Sequence, residues 1–166
     1  MHARSLLLVM LIAACGAIVT ACASSTPVPA GADAAAAEET LSSFLSMLAG
    51  GDYAPGAELY AGVLDSMQAW NPEIGAQDVA GLIGYGCESH LLQCLPVRSI
   101  VLEGTGPGGE MVFDVEFSLP DGTLFVRGPC CGATSTEMPD QSVFVFRVQP
   151  QANGGFVVMD LPPYVP

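Results

Sequence analysis

Met111-Val112-Phe113-Asp114-Val115-Glu116-Phe117-Ser118-Leu119 is the stretch that decides the fold. Met111, Phe113, Val115, Phe117 and Leu119 fall on one side of an extended chain; Asp114, Glu116 and Ser118 fall on the other. Strict alternation marks a half-buried antiparallel strand, with one face on the core and the other in water. Residues 97–103, 123–127, 143–149 and 156–161 read as strands around it. Gly106-Pro107-Gly108-Gly109, Pro120-Asp121-Gly122 and Ala152-Asn153-Gly154-Gly155 have tight-turn composition, so these strands are expected to form a meander. The connection over residues 128–141 is the exception, and it holds Cys130-Cys131.

Upstream of the strands the period changes to that of a helix. In residues 34–49, Leu41, Phe44, Leu45 and Leu48 make one apolar stripe, Glu38 and Glu39 sit in early turns, and Gly50-Gly51 ends the run. Asp52 is the expected cap of a second helix, with Pro55 in its first turn, running through Leu59, Tyr60, Val63, Leu64 and Met67 towards Trp70. Asn71-Pro72 stops it. Asp78 is the expected cap of a third helix, in which Val79, Leu82, Ile83, Gly86 and Cys87 share a face. Gly81, Gly84 and Gly86 weaken that helix by about 1 kcal/mol each relative to Ala, so packing or a cross-link must compensate. Helices followed by a meander predict an α+β domain, three helices against an antiparallel sheet of four to five strands.

The chain has 166 residues, enough for one such domain. Its charged fraction of 13% is low against about 25% in ordinary domains, and 51% of it is hydrophobic, which excludes disorder. A formal net charge of −13 argues against nucleic acid as a partner, because phosphate binding needs a basic patch, and against docking on anionic headgroups through basic residues.

The N-terminus reads as an export signal: Arg4, then the apolar run Ser5 to Val19, with no charged residue before Asp33. Val19-Thr20-Ala21-Cys22 resembles the bacterial lipobox. The resemblance implies a signal peptide over residues 1–21, cleavage before Cys22, diacylglycerol on the Cys22 thiol and an acylated (palmitate-type) new N-terminus. Residues 22–33, small and Pro-punctuated, read as a flexible tether, and residues 34–166 as the domain. Ile12-Ala13-Ala14-Cys15 matches more loosely and would leave a signal core at the lower length limit. An uncleaved anchor is the alternative, since Leu6 to Ala23 approaches the ~20 residues of a spanning helix. Each reading is extracytoplasmic; lipid anchoring to the bacterial cell membrane is the one expected.

Phe44-Leu45-Ser46-Met47-Leu48-Ala49-Gly50-Gly51-Asp52-Tyr53, followed by short helices and a sheet, resembles the cystatin-like cone of the nuclear transport factor two-like superfamily, a module found in small bacterial lipoproteins. The resemblance implies a curved sheet with an apolar cavity between helices and sheet. Enzymes of the superfamily place Asp, His or Tyr groups there; in many of its lipoproteins no such groups are known. Tyr60, Trp70, Tyr85 and Phe117 are the candidate lining residues, against the plainer reading of them as core.

Cys87, Cys94, Cys130 and Cys131 remain once Cys15 and Cys22 are assigned to the leader and the lipid. An even count in an exported domain reads as disulfides. Cys87–Cys94 needs the helix to end between them, because seven helical residues span about 10.5 Å; Pro96 allows that. Cys130–Cys131 needs a strained vicinal ring. Bridges from Cys87 or Cys94 to the Cys130-Cys131 loop are preferred, since they would fasten the glycine-rich helix to the sheet. Zinc is disfavoured because the spacing is wrong for C-x₂₋₄-C pairs, and a redox-active vicinal pair is the weaker functional alternative.

No catalytic motif is present: no Gly-x-Ser-x-Gly, His-Glu-x-x-His or phosphate loop. His90 is the one His beyond the leader, and Asp114 and Glu116 read as a solvated strand face. The expectation is therefore a non-enzymatic module without cofactor or metal, binding a small apolar ligand or an envelope protein. An enzyme using His90 and a cavity carboxylate, and a purely structural envelope module, are the alternatives.

Overall fold

The computed structural model describes residues 30–165; the expected signal peptide, Cys22 and most of the expected tether lie outside them. The fold is α+β. Helices α1 (Ala30–Gly50), α2 (Tyr53–Glu58), α3 (Asp65–Trp70) and α4 (Val79–Glu88) precede strands β1 (Val97–Thr105), β2 (Met111–Phe117), β3 (Phe144–Pro150) and β4 (Phe156–Val158). The strands form one antiparallel sheet in sequence order. Among the described residues no helix is long and apolar enough to cross a membrane.

β2 follows its alternation. Phe113, Val115 and Phe117 are buried, while Asp114 and Glu116 are half-buried on the other face. Phe113 sits opposite Phe146, and Val115 opposite Phe144, so the inward faces of β2 and β3 meet as aromatic and branched cross-strand pairs. Two bulges interrupt β1, between Val97 and Ser99 and between Leu102 and Gly104. Val101 and Leu102 lie in the regular stretch between them, on opposite faces of this edge strand, and both are exposed.

Helix α1 contacts all four strands. Its stripe of Leu41, Phe44, Leu45 and Leu48 joins Phe113, Val115, Phe117, Phe146 and Val148 in one apolar cluster. The helix starts at Ala30, so residues 30–33, expected in the tether, are its first turn; the alanine-rich run that follows carries the helix back through Gly31.

The expected second helix is two helices. After Glu58 the chain leaves the helix and bonds to the sheet edge: Val158 N donates to Leu59 O at 2.7 Å and Ala61 N donates to Val158 O at 2.9 Å. The unpaired edge of β4 offers backbone partners that outcompete a further turn of helix. Residues 123–127 were expected as a strand but make only the isolated bridges Ser118↔Leu124 and Arg127↔Gln141. Asp121 and Gly122 fold them straight back on β2, and Pro129 removes the next donor.

The glycines of α4 are explained by close approach. A Cβ on Gly84 would lie 2.8 Å from the Tyr53 ring, and one on Gly86 2.7 Å from both Leu92 and Met67. Intrinsic helix stability is given up so that α2, α3 and the following loop can pack against α4. Asp78 caps that helix as expected, accepting from Gly81 N at 2.9 Å.

Candidate functional site

The cysteines overturn the preferred pairing. Cys87 is bonded to Cys94, and Cys130 and Cys131 are free of either. α4 ends at Glu88, and His90, at φ +60°, reverses the chain. Leu92 N then donates back to Gly86 O at 2.8 Å, which brings the two Cα atoms to 5.4 Å, within the range a disulfide spans. The glycine-rich helix is thus fastened to its own exit loop and not to the sheet.

The four expected lining residues do not converge. Phe117 is 0% exposed and packs edge-on against Phe146 and tilted against Phe144; it is core, because it shares the inward face of β2 with Phe113 and Val115. Trp70 is 57% exposed at the end of α3, with its ring 5.4 Å from Tyr164. Tyr85 is 44% exposed, on the face of α4 away from the core. Tyr60 lines a shallow concavity with Gly62, Val63, Arg147, Met159, Asp160 and Leu161. Burial, followed by the nearby Asp160 carboxylate, pushes the Tyr60 phenol up to about 12. Asp160 is itself engaged, bonding Arg147 Nη2 at 2.6 Å and Arg147 N at 2.7 Å.

A better-formed pocket lies elsewhere. It has a volume of about 400 Å³ and lies between residues 125–130, Met138 and the C-terminal Tyr164 and Val165. That size is within the range of small-molecule sites. Phe125 forms its floor, stacked on Phe144 at 5.7 Å between ring centres. Arg127 and Gln141 exchange backbone hydrogen bonds of 2.8 and 2.9 Å and so close the neck of the long loop. Within the loop, Thr134 donates to Glu137 from its backbone N and from Oγ1, both at 2.9 Å; the backbone bond is the larger cause that holds the Glu137 carboxyl below its usual range. Met138 N bonds Thr134 O at 2.9 Å, which sets Met138 facing the floor. The opposite wall is pinned by Val165 N donating to Leu91 O and Gln93 N donating to Pro163 O, both at 2.9 Å.

Arg127 is the charge in this apolar setting. Its guanidinium lies 5.7 Å from the centre of the Phe144 ring and donates through Nη2 to Gln141 Oε1. Among the described residues the ion pair formed is Arg147–Asp160, so Arg127 has no carboxylate partner. A half-buried guanidinium backed by an aromatic face and making no direct ion pair, with Asp140 in the same loop neck beside Gly128, suits an anionic head whose apolar body lies on Phe125, Met138 and Tyr164. Two sequence features pointed here: the single long connection of the sheet half, where binding residues concentrate, and one of only three Arg residues beyond the leader. No periodicity could pair them with Tyr164.

His90 is exposed in its turn, and among the described residues no ion pair joins it to a carboxylate. Asp114 stays on the outer face of the sheet, and Glu116 there accepts from Ser99 Oγ at 2.9 Å. Among the described residues no group of three His, Cys, Asp or Glu side chains could hold a metal ion. No protein-family model, curated protein or solved structure matches the chain.

Proposed function

We propose that this chain is a lipid-anchored extracytoplasmic envelope protein whose domain is a non-enzymatic binding module, seating a small amphipathic anion in the pocket of Phe125, Arg127, Met138 and Tyr164. The observation that carries the reading is the unpaired Arg127 guanidinium in an apolar pocket of about 400 Å³. The guanidinium is half-buried and hydrogen-bonded only to the neutral Gln141, so an arriving anion would gain a charge-assisted hydrogen bond without displacing an ion pair. The lipobox at Cys22 supports membrane attachment through lipid. The helix-first order and the crossing of α1 over every strand support the likeness to the nuclear transport factor two-like cone, although four helices stand where three were expected. The ligand seat in this reading is at the loop end and not inside the cone, because the stripe of α1 and the inward faces of β2 and β3 are packed on each other.

The probe is 8-anilinonaphthalene-1-sulfonate, an aromatic body with an anionic head. Binding to the purified domain should give blue-shifted fluorescence, lost at least tenfold in affinity in Arg127→Gln and unchanged in Arg98→Gln. Equal binding by both variants overturns the Arg127 seat. Mass spectrometry of the membrane-extracted N-terminal peptide should show a modified Cys22; an unmodified start at another residue, or an intact Met1, overturns the anchor. A purely structural envelope module is the second reading, favoured by the closely packed core, and absence of any probe binding selects it.

A further inference from the structure

Cys130 and Cys131 remain unassigned by the binding reading. Their sulfurs are 2.7 Å apart, well inside the van der Waals separation of two thiols. The backbone holds them there. Ala133 N donates to Cys130 O at 2.9 Å, and the two residues between have φ of +59° at Cys131 and +89° at Gly132. Positive φ at both central positions defines a tight primed turn, which normally recruits Gly or Asn. A cysteine held in the left-handed region is disfavoured, and such outliers concentrate at functional positions. With Cys87 and Cys94 bonded to each other, and Cys15 and Cys22 assigned to the leader and the lipid, Cys130 and Cys131 have only one another as partners within the domain. Cys131 is exposed and Cys130 lines the pocket wall, so a reagent in solution reaches the pair.

We propose that Cys130 and Cys131 are a reversible dithiol–disulfide site that a disulfide oxidant closes into a vicinal bridge. As the Sγ–Sγ bond forms, the two thiols give up two protons and two electrons; the S–S bond of the oxidant breaks and takes them up as two new thiols. Adjacent residues hold their Cα atoms about 3.8 Å apart, short of the 4.4–6.8 Å of ordinary disulfides. The ring is therefore strained, and strained, exposed disulfides are the readily reduced ones. Cys87–Cys94, with Cα atoms 5.4 Å apart, carries no such constraint and stays closed under milder reduction. The Cys131 thiol is held above its usual range, chiefly by its contact with the Cys130 thiol.

The test equilibrates the purified, non-denatured domain in glutathione buffers of graded redox poise, followed by alkylation and tryptic mapping. Cleavage after Arg127 and Arg147 releases peptide 128–147, which contains these two cysteines and no other. In oxidising buffer it should be unalkylated and lighter by two hydrogens than the dithiol form. With increasing reduction it should gain two alkyl groups together, before the Cys87–Cys94 bridge opens. Cys130→Ser should instead accumulate a mixed disulfide with glutathione at Cys131. Overturning results are two free thiols at every poise, or a cross-link from this peptide to Cys87, Cys94 or a second copy of the chain. The peptide readout is independent of whether the pocket binds the fluorescent probe, so either reading can fail alone.

Discussion

Phe44, in the C-terminal part of α1, stacks on Tyr60 with ring centres 5.9 Å apart and planes 12° from parallel. The contact joins the longest helix to the segment that leaves α2 and bonds to the edge of β4. It ties the helical and strand halves at one point, so substitutions around it should be felt across the domain.

Phe44 is 0% exposed. Phe44→Ala should cost about 3–5 kcal/mol in urea unfolding, from lost burial and the cavity left behind. Asp114→Ala, on the outer sheet face, should cost less than about 1 kcal/mol. Phe117→Ala should match Phe44→Ala, since Phe117 is core and not pocket wall. An Asp114 effect larger than that at Phe44 would mean that the faces of β2 are reversed.

Gly84→Ala tests the packing of α4. Helix propensity alone predicts a gain of about 1 kcal/mol. The added methyl would meet the Tyr53 ring at 2.8 Å, so net destabilisation is expected. Tyr53→Ala in the same chain should restore part of the loss, because it vacates that space; a simple sum of the two single effects in thermal unfolding would refute the contact.

Loss of the Cys87–Cys94 bridge, by Cys87→Ser with Cys94→Ser, should cost about 2 kcal/mol, the low end for a disulfide because the loop it closes is short. Hydrogen exchange should quicken in α4 before it quickens in β2. Uniform loosening of both would show that the bridge supports more than the helix exit.

Tyr60 ties stability to alkaline pH. Its folded value of about 12 lies above the ordinary 10.0 of an unfolded tyrosine. Between those values the unfolded chain releases the phenolic proton and the folded one retains it, so stability is unaffected below about pH 10 and falls as pH rises towards 12. Tyr60→Phe keeps the ring on Phe44 and removes the titrating group, so it should flatten that slope in pH-dependent unfolding. An unchanged slope would place its cause elsewhere.

Asp160 should matter more than its ion-pair partner. Its carboxylate accepts from the backbone N of Arg147 as well as from the guanidinium. Arg147→Ala removes an exposed salt bridge, worth under about 1 kcal/mol. Asp160→Ala also leaves a strand N–H unpaired, so its cost in urea unfolding should exceed that of Arg147→Ala by about 1 kcal/mol. Equal costs would show that water replaces the backbone bond.

Local pattern was enough for the stripe of α1, the inward face of β2, the cap at Asp78 and the meander, because each depends on a period or a neighbour a few residues away. It failed where a distant backbone competed. Leu59 to Ala61 satisfy helix spacing, yet the free edge of β4, nearly a hundred residues later in the chain, takes their hydrogen bonds. Residues 123–127 alternate like a strand, but their neighbours in space offer only single bridges. The cysteine spacing permitted three pairings, and the chosen one depends on the reversal at His90.

By itself the sequence determined the α+β class of fold, the inward face of β2 and the acidity of the chain, and it supplied the expectation of an exported, lipid-bearing N-terminus. All of these follow from composition, periodicity and contiguous motifs. The tertiary structure alone decided which aromatics are core, which cysteines meet, and that Arg127, Met138 and Tyr164 share one pocket. Those residues come from a loop neck, the returning arm of that loop and the C-terminal segment. Only backbone hydrogen bonds between remote segments, Arg127 with Gln141 and Leu91 with Val165, bring them within reach of one ligand, and pairings at such sequence separation leave no trace in local pattern.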